Sequence, residues 1–147
     1  MPSLELDAFI PYRLSVTSNL VSDAIARTYD ALFGLSIPEW RLVAVVAEAG
    51  EITQQAIGAR TRMDKVTVSR AAIALVERGL MDRRGNPSDR RSHLLALTQA
   101  GRDLHAAVAP KALELERRLF APFDPEEVAA FTDMLRRIEA AALALEG

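Results

Sequence analysis

The stretch from Met63 to Thr98, MDKVTVSRAAIALVERGLMDRRGNPSDRRSHLLALT, constrains this chain more than any other. It reads as one short helix followed at once by a two-stranded ribbon whose tip carries Gly, Asn and Pro. Asp64 can open the helix, because its carboxylate accepts from the free N–H groups of the first turn. Arg78-Gly79 is where the helix should close, since glycine is at ease in left-handed backbone. Between these ends Val68, Ala72, Leu75 and Val76 recur at the spacing of one buried helical stripe. The opposite face begins with Lys65, Val66, Thr67, Ser69 and Arg70. Hydroxyls, an exposed methyl pair and two cations at the N-terminal end of a helix suit the major groove of DNA. There base edges take hydrogen bonds and phosphates take cations.

Charge supports this reading once it is divided by region. The net charge of the 147 residues is −2, the wrong sign for a nucleic-acid binder. From Gly58 to His93, however, nine Lys/Arg face four acids, so this segment is +5 and the remainder −7. A basic block in an acidic chain marks a local polyanion contact, because counterion release depends on the patch and not on the total. The chain has no cysteine, which excludes disulfides, thiolate metal sites and cysteine-based redox switching. The N-terminus lacks the pattern of a secretory signal, and no apolar run approaches the roughly 20 residues of a membrane span. A cytoplasmic protein is the expectation.

The flanking segments read as helices. Phe9 to Leu32 is a helix of about six turns closed by Gly34, with Ile10, Leu14, Val21, Ile25 and Leu32 near helical spacing. Ser36 caps the next helix, Pro38 to about Glu48, with Glu39 completing a capping box. Glu51-Ile52 is a single bridging strand. Thr53 caps a third helix whose Ala56, Ile57 and Ala59 point inward. Gly58 permits close packing there, and a turn through Thr61-Arg62-Met63 leads into the Asp64 helix. Two short helices joined by a tight turn, the second bearing the polar face, form a helix-turn-helix. Arg83, Arg84, Arg90 and Arg91 cluster on the hairpin that follows. Thr98 caps a helix to about Phe120, interrupted and kinked at Pro110. Asp124, Pro125 and Glu127 start a last helix, Pro125 to Glu146, roughly 33 Å long. Its apolar stripe is longer than one small core consumes, so the first, fifth and sixth helices should pair with those of a second copy.

The run LSIPEWRLV, the helix-turn-helix, and RGLMDRR followed by SDRRSHLLALTQAGRDL together resemble the MarR family of winged helix-turn-helix regulators. The likeness covers about Phe9 to Leu145. Its most specific part is Asp89-Arg90-Arg91, through Leu97-Thr98, to Gly101. The resemblance implies a mainly α fold with a small β wing. One domain, residues 1–147, would hold a DNA-binding lobe at 36–98 between dimerisation helices at 9–34 and 99–147. It implies a homodimeric repressor of pseudo-palindromic double-stranded DNA, released by a small, often phenolic, effector. Lys65, Thr67, Ser69 and Arg70, with Val66 beside them, would meet the major groove. Arg91 would enter the minor groove with its guanidinium oriented by the Asp89 carboxylate. Arg90, Arg83 and Arg84 would complete the contact.

The family's effector pocket is bordered by the first, second and fifth helices, which implies Tyr12, Arg13, Asn19, Trp40, Arg41 and His105 as candidates. An anionic aromatic acid, or its coenzyme A thioester, would want such arginines and an aromatic wall. Trp40 also reads as a core residue. No cofactor, metal or catalysis is expected. His93 and His105 fall on different elements, no metal-ligand spacing occurs, and the Asp124–Glu127 carboxylates are accounted for by capping. The alternative is a helical dimer whose basic wing meets an acidic protein partner. The salt dependence of binding to random duplex separates the two.

Overall fold

The computed structural model describes residues 2–147. Its elements begin and end at the residues whose side chains can close a helix. Helix α1, Ile10–Phe33, stops at Gly34, whose φ of 62° is left-handed and whose N–H returns to the carbonyls of Asp30 and Tyr29. Helix α2, Ile37–Ala49, starts with a complete capping box. The Glu39 N–H donates to Ser36 Oγ at 3.2 Å, and the Ser36 N–H donates to Glu39 Oε1 at 2.8 Å. Strand β1, Ile52–Thr53, leads directly into helix α3, Gln54–Thr61, because Thr53 Oγ1 accepts from the Ala56 N–H. Helix α4, Lys65–Glu77, is capped by Asp64. Strands β2, Met81–Gly85, and β3, His93–Leu97, form the hairpin. Helix α5 is Gln99–Leu119 and helix α6 is Pro125–Glu146, the latter opened by the Asp124/Glu127 box.

The three strands form one antiparallel sheet in the order β1-β3-β2. The register sets Ile52 opposite Leu95, Met81 opposite Leu97 and Arg83 opposite Leu95. Pairing of β3 on both edges fastens the hairpin to the helix-turn-helix, support that an isolated hairpin would lack. Beneath it the core is closed by Leu35, Leu42, Val43, Ile57, Val68, Leu75 and Leu95, all fully buried.

Three expectations change. In α3 only Ile57 is buried, while Ala56 and Ala59 are exposed, because a helix of two turns offers the core a single narrow stripe. Helix α5 runs without a break through Pro110, so the interruption is absent; the proline removes one N–H from the ladder and the backbone stays helical. Tyr29, which the apolar periodicity passes over, is buried, and that burial pushes its phenol above the usual range.

Gly101 is buried in the first turn of α5, where a Cβ would collide with the Leu80 carbonyl and press on Leu97. Thr98 locks the same junction, donating to the Gly79 carbonyl at 2.7 Å and accepting from the Gly101 N–H at 3.1 Å. The Leu-Thr-x-x-Gly run is thus the seam between wing and helix.

The chain divides into two compact units, Met1–Ala109 and Pro110–Gly147. In the second, Phe120 packs near the rings of Phe123 and Phe131. Phe131, Met134, Leu135, Ile138 and Leu143 of α6 each remain more than 40% exposed or at that value. In the first, Ile10, Leu20 and Leu32 of α1 are similarly uncovered. No helix among the described residues is long and apolar enough to cross a membrane.

Candidate nucleic-acid interface

The N-terminal end of α4 is built around Asp64. One carboxylate oxygen accepts from the Thr67 N–H at 2.8 Å and the other from the Thr67 hydroxyl at 3.0 Å. Those bonds, the backbone one foremost, hold the Asp64 carboxyl below its ordinary range. Thr67 is half-buried and its hydroxyl donates to the cap carboxylate, which leaves the hydroxyl oxygen as an acceptor on this end of the helix. Val66 stands 56% exposed beside Lys65, the arrangement that can meet a thymine methyl.

The turn before α4 has two features that fix its angle to α3. Arg62 takes a left-handed φ of 61° without being glycine. Gly58 lets the Met63 carbonyl approach to 3.3 Å of where a Cβ would stand. The first is a conformation that a side chain normally resists. It is therefore invisible to a reading based on Gly and Asn.

Across from α4, the hairpin tip is folded by local bonds. Asn86 Oδ1 accepts from the Ser88 N–H at 3.0 Å, and Asn86 Nδ2 donates to Ser92 Oγ at 2.9 Å. Asp89 Oδ1 accepts from the Arg91 backbone N–H at 2.9 Å. This last bond revises the expected link between Asp89 and the Arg91 guanidinium. A carboxylate two residues back reaches the main-chain N–H in an Asx turn more readily than it holds a long flexible side chain. Asp89 thereby shapes the tip, and the Arg91 side chain stays exposed.

Helix-turn-helix and wing enclose a cleft of about 720 Å³. Lys65 and Ser69 from α4 line one wall, Arg83 and Arg91 from the wing another, and Gln54 and Gln55 the edge. Arg70 and Arg90 are exposed outside the cleft lining. No carboxylate is among the residues that line the cleft, whereas Lys65, Arg83 and Arg91 are. Gln54, Gln55, Ser92 and His93 are lining residues that the sequence reading did not select. The polar pair directly after the Thr53 cap was the available signal for the first two.

Arg84 does not belong to this set. It lines a separate recess, of about 530 Å³, and its guanidinium donates to Glu51 Oε1 at 2.9 Å. Adjacent strand residues point to opposite faces, so Arg83 and Arg84 cannot share a cleft. The effector candidates are scattered too. Trp40 stacks on His105 with ring centroids 5.6 Å apart and meets Tyr29 edge-on at 5.8 Å, so it is half-buried packing. His105 lines the Arg84 recess. Arg13 pairs with Asp7 at 3.2 Å, and Asn19 and Arg41 are exposed. These three and the half-buried Tyr12 line neither hollow.

Residues 33–92 match the MarR family. The chain is 36% identical over 99 residues to the uncharacterized protein Rv2011c of Mycobacterium tuberculosis, a span covering 67% of this chain and 68% of that one. It is 30% identical over 104 residues to the uncharacterized HTH-type transcriptional regulator YwoH of Bacillus subtilis, covering 71% and 75%. The chain belongs to the MarR family. Among solved structures, CouR from Rhodococcus jostii RHA1 bound to p-coumaroyl-CoA superposes with a TM-score of 0.81 at 27% identity, covering 92% of this chain and 95% of that one. The fold is the winged helix-turn-helix of MarR transcriptional regulators, and α4 with the β2–β3 hairpin is its helix-and-wing surface.

Proposed function

We propose that this MarR protein is a homodimeric, sequence-specific DNA-binding repressor released by a small aromatic acid or its coenzyme A thioester. The observation that carries the DNA-binding part is the cleft. Lys65, Ser69, Arg83 and Arg91 converge from two elements on one concave surface that holds no acid. In this reading α4 lies in the major groove, with Val66, Ser69 and Arg70 toward base edges and Lys65 toward phosphate. The wing tip follows the backbone through Arg83 and Arg90 and places Arg91 in the adjacent minor groove, where a narrow A·T-rich segment attracts a guanidinium. Exposed apolar residues on α1, and others on α6, are each surface that a second copy would cover. Two such lobes would read half-sites about one helical turn apart, roughly 34–36 Å. CouR, structurally similar over nearly the whole chain, is bound to an aromatic coenzyme A thioester, which supports that effector class here.

Selection of binding sites from a random duplex library tests the reading. A pseudo-palindromic site bound by a dimer is expected. Enrichment of no site, with binding instead to acidic proteins, would favour an interaction module.

A further inference from the structure

Between residues 36 and 98 the large hydrophobic side chains left exposed among the described residues are Val66, at 56%, and Ile73, at 46%. Both stand on α4, seven residues apart. Lone exposed apolar side chains are ordinary on protein surfaces. These two share a line with Arg70 and Glu77, because positions i, i+4, i+7 and i+11 fall on one side of a helix. The whole line is exposed, while Val68, Ala71, Ala72 and Leu75 on the other side are buried. Helix stability does not account for it, since branched side chains are poorer helix formers than alanine or leucine and exposed ones add nothing to the core. Lys65 and Ser69 adjoin the line and turn toward the cleft that Arg83 and Arg91 also line. A duplex drawn to those cations offers α4 polar base edges, phosphates and one apolar group, the C5 methyl of thymine.

We propose that Val66 and Ile73 are specificity-determining residues that read two thymine methyls in each half-site, with Arg70 at a base edge between them. The inference rests on the reading of α4 as the major-groove helix. Seven residues of α-helix rise about 10.5 Å and base steps are about 3.4 Å apart, so the two methyls lie about three base pairs from one another along the groove. Glu77, a turn beyond Ile73, puts a carboxylate at the end of the line, where a phosphate would be repelled, so the contact stops at Ile73.

Deoxyuridine in place of thymine tests this, because it removes the C5 methyl and keeps the base pair. The operator comes from selection in a random duplex library, and its half-site is expected to hold A·T pairs about three positions apart. Each thymine of one half-site is then replaced in turn, and binding of the full chain is followed by fluorescence anisotropy. A loss of about fourfold is expected at each of the two positions, the effect of withdrawing one apolar carbon. Val66→Ala should bind thymine and uridine alike at one of them and keep its response at the other, and Ile73→Ala should do the reverse. Both substitutions lie at exposed helical sites where alanine is well tolerated, so folding is not at risk. Parent binding indifferent to uridine at every position, or a response that neither variant removes, would overturn the proposal. So would a fall in the oligomeric state of either variant alongside uridine indifference, which would give the line to a second copy. A library with no enriched site would overturn the DNA-binding reading and this inference with it, whereas an enriched site without the uridine effect overturns this inference alone.

Discussion

The Arg78 guanidinium donates to the Gly34 carbonyl at 3.0 Å and the Phe33 carbonyl at 3.2 Å, closing the C-terminal end of α1 from the residue that ends α4. A cation at a helix C-terminus is favoured by the free carbonyls there, and a planar fork can serve two of them at once. Arg78→Ala is expected to lower stability by about 1 kcal/mol, discounted for an exposed site. That corresponds to a fall of about 3 °C in Tm, measured by thermal denaturation. Arg78→Lys should recover only part of it, because an ammonium cannot span both carbonyls.

Gly101 offers a test by sign. Alanine in a helix is ordinarily preferred to glycine by about 1 kcal/mol. Here the added methyl meets the Leu80 carbonyl, a backbone atom that cannot swing aside. Gly101→Ala is therefore expected to destabilise by about 2 kcal/mol or more, or to prevent folding. Urea denaturation that shows stabilisation would contradict this packing.

The capping residues made much of this fold legible in advance. Ser36, Thr53, Asp64 and Asp124 each mark a helix start that the structure keeps, and Gly34 and Gly79 mark left-handed ends. Local chemistry suffices there because a cap needs only residues three apart. What was hidden depends on register and tertiary contact. Two adjacent arginines carry no sign of which faces the cleft until β2 pairs with β3. Nor does Thr67 show in advance that its hydroxyl donates to Asp64, and Asp89 serves the backbone of Arg91 instead of its side chain.

Asp64 predicts a pH dependence. Its carboxyl is held below the ordinary value in the folded chain, so the charged form favours folding. That stabilisation is present above the unfolded pKa and is lost as pH falls through the lower folded one. Asp64→Asn keeps a capping acceptor but removes the titration. Acid-denaturation curves of parent and variant should therefore converge toward low pH, and a constant gap would refute the assignment.

The two faces of β2 predict unequal effects on DNA. Arg83→Ala should weaken binding to random duplex and reduce the salt slope by about 1 per lost phosphate contact. Arg84→Ala, tied to Glu51 on the other face, should leave that slope nearly as it was. Equal losses in electrophoretic mobility shift would place both arginines on phosphate.

Asp89→Ala should weaken operator binding through the tip, by releasing the Arg91 N–H and loosening the turn that presents the side chain. Asp89→Asn, which retains an acceptor, should bind more tightly than the alanine variant in fluorescence anisotropy. If the two variants bind alike, the turn bond has no part in recognition.

The most direct measurement is fluorescence anisotropy of a labelled random duplex of about 30 base pairs, titrated with the protein between about 50 and 200 mM salt. If the acid-free cleft between α4 and the wing is the DNA surface, affinity should fall by about 10³-fold over that range. The fall should become shallower in Lys65→Ala, Arg83→Ala and Arg91→Ala. No binding at the lower salt, or binding indifferent to salt and to these three residues, would contradict the account.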